Sequence, residues 1–390
     1  MTAFLQSIMG RLPIGWLQLS YSKTRLAAAI AGVSFANILV FVQLGLLGSM
    51  NASIIKSYNV FDADIMISAT DANTMTEGGN VARQWMFQAL SFDEVISGAP
   101  LFVGIAMWSS PTGDTALQTF GVDPIRVDFL APSIAKTVTN LTLLDTAVMD
   151  RKARGLTPEV AAGIRPHSPY RFETAGRTLT VTQTFEGGAG FAADGYMFVS
   201  DQTFLRLFGK RKSGAPNHIL LKVAPNASVA EVVTKLKTVL PVDQLRIRSF
   251  MDAAREDQKY QMTQKPVGLI FGFGVVIGVL VGIVIVYQVL STDVADHLSE
   301  YATFKAMGYG QSFFLSVVFE EAIILAVLGF GPGILISMAM YKFLAAMTFL
   351  PLQMTIATAL MVFFGTLAAC SISGAIATRR LVGADPADLF

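Results

Sequence analysis

Four runs of about twenty apolar residues, the length that crosses a bilayer core, constrain this chain more than anything else in it. They are Leu26–Met50, Val267–Leu290, a stretch within Phe313–Leu350, and Thr355–Thr378. A bilayer interior offers no water to a backbone, so each run is predicted as a helix that bonds its own N–H and C=O groups. The composition agrees, since 53% of the 390 residues are hydrophobic and only 15% charged, well off the balance of an ordinary soluble chain. No other run in 51–265 reaches spanning length. The chain therefore reads as an α-helical membrane protein with four transmembrane helices plus a mixed α/β domain inserted between helices 1 and 2.

Charge sets the expected orientation. The lead, residues 1–25, carries Arg11, Lys23 and Arg25 and no acid, and short flanks rich in Lys and Arg stay in the cytoplasm. Arg379 and Arg380 close the fourth run in the same way. Both termini are thus expected inside and residues 51–265 outside, as a periplasmic domain. Trp16 in PIGWL predicts an amphipathic helix on the inner leaflet. The expected divisions are 1–25 for the lead, 26–50, 266–290, 313–344 and 355–378 for the spans, 291–312 for a cytoplasmic loop, 345–354 for a short external turn, and 379–390 for the tail.

Within 51–265 the pattern is mixed. Strands are predicted at Ala63–Ser68, Pro100–Trp108, Thr115–Gly121, Arg177–Phe185, Tyr196–Ser200, His218–Val223 and Leu245–Ser249. Ser228–Leu240 reads as a helix capped by Ser228 with Glu231 three residues on. Residues 128–214, with Gly- and Pro-rich connections, read as an inserted subdomain. Phe250–Gln264 reads as a polar helix whose Asp252, Arg255, Glu256 and Lys259 pair along it. It runs almost directly into the second span at Pro266, a stiff lever in this reading.

Gly274, Gly278 and Gly282 recur every fourth residue in the second run, a small-residue stripe. Close packing within one chain and a seam between two copies both fit it. Glu320 and Glu321 lie within the third apolar stretch. A helix that begins in the cytoplasm would leave them at the interface, and a carboxylate in lipid would otherwise point to function, proton coupling included. Gly329, Gly331, Pro332 and Gly333 predict a kink.

Ser291–Ser312 is the one polar island between two long apolar runs. On a helical wheel Val294, Ala295, Leu298, Tyr301 and Ala302 share one arc, and Asp293, Asp296 and Glu300 lie opposite. The spacing predicts a short helix across the membrane face with an acidic edge toward water, stopped by Gly308. The run EYATFKAMGYGQSFF, with Glu321-Ala322 beyond it, resembles the loop-and-third-helix signature of MacB/FtsX-type ABC permeases. Phe120-Gly121-Val122-Asp123-Pro124 is similar to the G-V-D-P of their periplasmic domains. The tail from Ala384 to Phe390 resembles their D-P-x-E-A-L ending and departs from it at Asp388 and Phe390.

That resemblance implies that Asp293, Asp296, His297, Glu300, Tyr301, Lys305 and Gly308 dock on a separate ATPase, which holds the ATP and Mg. Within the family the lead from Leu12 to Asn37 is similar to the DevC-type subgroup. It implies a DevA-like ABC ATPase subunit, a DevB-like periplasmic adaptor, a TolC-like outer-membrane channel and a homodimer of this chain, exporting glycolipid or another hydrophobic substrate. A non-transporting transducer that activates an external hydrolase and a lipoprotein extractor share the same signature. The chain itself lacks G-x-x-x-x-G-K-S/T, H-E-x-x-H, G-x-S-x-G and C-x-x-C, so no nucleotide, zinc-protease, serine-hydrolase or dithiol chemistry is expected on it. His167, His218 and His297 have no ligand spacing, Cys370 is alone, and a near-neutral charge gives no reason to expect a nucleic-acid partner.

Overall fold

The computed structural model describes residues 13–111, 113–188, 190–191, 193–297, 300, 303–305 and 307–377. Four of its helices are long and apolar enough to cross a membrane. A short helix α1 (Ile14–Tyr21) precedes the first of them, α2 (Lys23–Asn59). The α/β domain follows, with short helices α3 (Gln84–Ala89), α4 (Pro132–Ala135), α5 (Pro158–Gly163) and α6 (Asp201–Leu207), then α7 (Val229–Val239) and α8 (Phe250–Thr263). The remaining long helices are α9 (Pro266–Asp296), α10 (Gln311–Thr348) and α11 (Ile356–Ala377). The chain divides into two compact units. One comprises residues up to Leu47, Leu269–Phe343 and from Leu352 onward, and the other Gly48–Gly268 with Leu344–Pro351.

In the α/β unit nine strands form one sheet: β1 Ile65–Ala69, β2 Val95–Ser110, β3 Gly113–Val122, β4 Thr146–Asp150, β5 Tyr170–Thr174, β6 Arg177–Phe185, β7 Gly195–Ser200, β8 His218–Val223 and β9 Leu245–Ser249. Strand β2 is long enough to serve two neighbourhoods. Its first half pairs antiparallel with β8, which leads on to β1 and β9. Its second half pairs with β3 from Phe102↔Gly121 to Ser110↔Gly113. From β3 the pairing runs through β7, β4, β6 and β5 and returns to β2 at Trp108↔Thr174. A six-strand ring thus closes and leaves few free edges.

Residues 128–214 share their sheet with β2 and β3. Their strands complete the ring, because β3 would otherwise present unpaired backbone groups where β7 lies parallel to it. Strands β4 and β5 were not among those read from the sequence.

Alternation along these strands feeds two cores at once. In β7, Tyr196 and Phe198 enter one cluster while Met197 and Val199 enter another, and in β4 Val148 is opposed to Ala147 and Met149. Both faces are buried, so the sequence reads as continuous apolar runs. Phe120, fully buried, meets Phe61 and Phe198 at ring-centroid separations of 5.0 and 5.2 Å.

Ser228 precedes α7 as expected, but its hydroxyl caps nothing. On α8, Arg255 and Asp252 do pair at 3.5 Å, whereas Glu256 turns to Arg248 and Arg246 of β9 at 2.7 and 3.0 Å. Helix α8 stops at Thr263, and Pro266, whose missing N–H costs nothing in a first turn, starts α9 afresh.

His218 lies buried between β1 and the segment after it. Nε2 donates to the Met75 carbonyl at 2.8 Å and Nδ1 accepts from the Ser68 hydroxyl at 3.0 Å. Burial, with Arg248 nearby, pushes its pKa down to about 4.

Two outcomes follow. Replacing Phe120 by Ala empties a fully enclosed site and should cost about 3–5 kcal/mol, read as a fall in the domain's thermal transition in the intact protein. His218 is protonated in the unfolded chain near pH 6.5 but only near pH 4 when folded, so the unfolded state binds more protons in between. Stability should therefore fall as pH drops from about 6.5 toward 4, and His218→Gln should flatten that slope.

Candidate functional site

The membrane unit is held together where small residues let backbones approach. Cβ atoms built on Gly274, Gly278 and Gly282 would lie 2.4, 3.0 and 3.1 Å from Gln43, Val40 and Ala36 of α2. The stripe read from the sequence thus faces α2 of the same chain, and Val276, Ile277, Leu280 and Val284 of α9 stay exposed. Gly329 and Gly333 of α10 meet Val33 and Asn37 in the same manner. Pro332 leaves α10 unbroken. Its missing donor and bulky ring disturb the preceding carbonyls, and the Ser34 hydroxyl donates to the Gly329 carbonyl at 2.9 Å.

The polar island differs from the expected surface helix. Helix α9 continues past Leu290 to Asp296, so Asp293 and Asp296 sit in the last turn of a long helix and not the first turn of a short one. Acids there oppose the helix dipole. Each is answered locally: Asp296 pairs with Arg25 at 2.5 Å, and Asp293 lies 3.8 Å from Nδ1 of His297. Asp293 is only 2% exposed. It belongs to the interior and does not form part of an acidic edge, because its side chain turns toward α10.

Beyond His297 a short helical segment includes Glu300 and Thr303–Lys305. Tyr301 lies outside the described residues. Gly308, with φ of +90°, closes the segment. The Gly308 N–H donates to the Lys305 carbonyl at 3.1 Å and the Tyr309 N–H to the Phe304 carbonyl at 3.1 Å. Phe304 and Tyr309 meet edge to face at 5.6 Å. These are the paired bonds and apolar contact of a Schellman stop, which needs a left-handed residue at that position. Glu300, Lys305 and Gly308 are exposed, and so are Met307 at 60% and Tyr309 at 46%. The exposed apolar pair beside Gly308 was legible only as part of a motif.

Under the island lies a constellation that spacing could not reveal. Helix α1, expected on the membrane surface, packs on α10 through Gly15. A Cβ there would come within 2.9 Å of Glu321 Cγ and 3.0 Å of the Val317 carbonyl. Glu320 Oε1 accepts from the Trp16 N–H at 3.4 Å, a carboxylate at the N-terminal turn of α1, where unsatisfied amides favour it. Gln18 Nε2 donates to Glu300 at 3.3 Å. Glu320 and Glu321 are 5% and 0% exposed, enclosed by protein, nine and ten residues into a helix that begins at Gln311. Among the described residues no N–H or hydroxyl bonds either Glu321 oxygen, and its one hydrogen-bonding neighbour is the Asp293 carboxyl. No group of three or more metal-ligating side chains is found among the described residues.

Residues 272–386 match the model of the FtsX-like permease C-terminal domain. The match takes in the end of α9's first turns onward, the island, α10 and α11. No curated protein matches the chain. Among solved structures, the periplasmic region of MacB from Actinobacillus actinomycetemcomitans is returned at 12% identity, over 50% of this chain and 93% of that one, with a TM-score of 0.34. The extracellular domain of the noncanonic ABC-type transporter YknZ from Gram-positive bacteria is returned at 8% identity, over 48% and 98%, with a TM-score of 0.33.

The tight approach at Gly15 makes a clear demand. Gly15→Leu should force α1 off α10 at a cost of about 1–3 kcal/mol, seen as a lowered melting temperature in detergent and faster proteolysis after Arg11. Glu321→Gln supplies an amide donor where a carboxylate had none, and the melting temperature should hold or rise.

Proposed function

We propose that this chain is the permease subunit of an ATP-driven ABC exporter of the MacB/FtsX type, resident in the inner membrane with both termini in the cytoplasm and the α/β domain outside. The observation that carries this reading is the FtsX-like permease match over residues 272–386, within which the Gly308-closed segment stands exposed between α9 and α10. In this reading Asp296, Glu300, Lys305, Met307 and Tyr309 meet a separate ABC ATPase, which binds ATP and Mg and does the hydrolysis. Asp293 and His297 act one layer below, holding the end of α9. This chain does no catalysis.

The finer assignment rests on the sequence resemblance to the DevC-type subgroup. It names a DevA-like ATPase, a DevB-like adaptor, a TolC-like channel and pairing of two copies, with lipid, glycolipid or another hydrophobic molecule as cargo. Nucleotide-driven closure of the ATPases would move the exposed segment, and the movement would be passed through α9 and α10.

Co-purification of the tagged protein from detergent, with mass spectrometry of what is retained, tests the assignment. An ABC ATPase and a periplasmic adaptor are expected. An ATPase with no adaptor would favour a transducer or extractor, and absence of an ATPase would overturn the reading. Gly308→Pro imposes a negative φ where the Schellman stop needs a positive one and deletes the N–H bonded to Lys305. It should leave membrane insertion intact, keep ATP hydrolysis, and abolish export.

A further inference from the structure

We infer that a groove in the α/β unit, between the β4–β5 connection and the turn after α10, binds the headgroup and chain of an anionic membrane lipid. The inference deepens the exporter reading, since it names a cargo class and a place for it. It rests on that reading for its biological meaning but not for its geometry.

The groove arises from how the turn is anchored. Arg154 reaches the end of α10, where Nε and Nη2 donate to the Thr348 carbonyl at 3.0 and 2.7 Å, while Nη1 meets Asp194 at 2.7 Å. A cation on the last carbonyls of a helix satisfies groups that have no partner in the helix. Held there, Phe349 takes φ of +57°, a left-handed conformation uncommon for a bulky residue. The residue is 55% exposed. That φ ends α10, with the Phe349 N–H donating to the Ala345 carbonyl at 2.9 Å, and it turns the ring outward at the stop.

Phe349 forms one wall of a space of about 730 Å³, within the usual range for small-ligand sites. Edges of Leu156, Ala161 and Ile164 make its apolar floor. Its rim carries Arg151, Lys152 and Arg165, and among the described residues no acid lines it. Glu186 pairs with both Arg151 and Lys152, so among the described residues three cations face one carboxylate. Beyond Phe349 a second space of about 400 Å³ adjoins the first through Leu156 and Pro158. Its Asp194 is already taken by Arg154, and its Asp114 accepts from the Ser109 hydroxyl at 2.9 Å. An apolar floor, an aromatic wall and an excess of positive charge at the rim complement an amphiphile with an anionic head. A neutral sugar head leaves the rim unanswered.

The test uses the full chain in detergent micelles with a phosphatidylglycerol probe carrying a diazirine in its acyl chain, and the phosphatidylcholine equivalent as the neutral comparison. Mass spectrometry should find adducts of the anionic probe on residues 151–165 and 347–351, with the neutral probe much weaker there. Arg165→Glu, at an exposed position, should lower this labelling about tenfold, since near-surface charges act at that scale on anionic lipid. Ala162→Trp should remove it by filling the groove. Adducts confined to the long helices, equal labelling by the two probes, or labelling unchanged in Ala162→Trp would overturn the proposal. ATPase co-purification is scored on the same samples. An ATPase retained without groove labelling refutes the lipid site alone, and groove labelling without an ATPase refutes the exporter reading alone.

Discussion

Inside a bilayer an unbonded amide or carbonyl has no water to turn to, and each one left unmet costs several kcal/mol. The long helices of this chain follow from that constraint, and so do many of their polar details. Beside Pro332, whose ring disturbs the preceding carbonyls of α10, the Ser34 hydroxyl of α2 bonds the Gly329 carbonyl. Where α10 ends, the Thr348 carbonyl is met by Arg154. Where α1 begins, the Trp16 amide is met by Glu320. Each is a side chain remote in sequence, brought to a backbone group at a helix end or beside a proline.

The same constraint explains the glycines. Without a hydrophobic drive between helices in lipid, association depends on close contact. Gly278 against Val40 and Gly329 against Val33 provide that contact within one chain. The left-handed Gly308 has a different task, to stop a helix abruptly between two membrane-length neighbours. The stop is what leaves Met307 and Tyr309 in solvent.

The buried acids show how little spacing says about depth. Asp293, Asp296 and Glu300 share a wheel sector, yet Asp293 is enclosed, Asp296 is paired with Arg25, and Glu300 meets Gln18. The difference is made by α1 and α10, elements that a one-dimensional wheel does not contain. The α/β unit repeats the point. Strands β6, β8 and β9 have the limits that β-branched and apolar runs predict, while β4 and β5 are short pieces among turns whose strand character comes from the partners they pair with.

Local chemistry was enough to determine the four apolar helices, the α/β insertion between the first two, the strands with strong runs, and the glycine stop at position 308. Each depends on segment length, periodicity or one residue's allowed φ, quantities carried by neighbours in the chain. Only the tertiary structure decided that residues 128–214 close the β2–β3 ring, that Gly274, Gly278 and Gly282 face α2, that Asp293 and Glu321 are buried beside each other, and that Arg154 holds the end of α10. These are pairings between groups up to roughly 250 residues apart. They are selected by burial, charge and unsatisfied backbone groups after the elements have packed, and no periodicity along the chain encodes them.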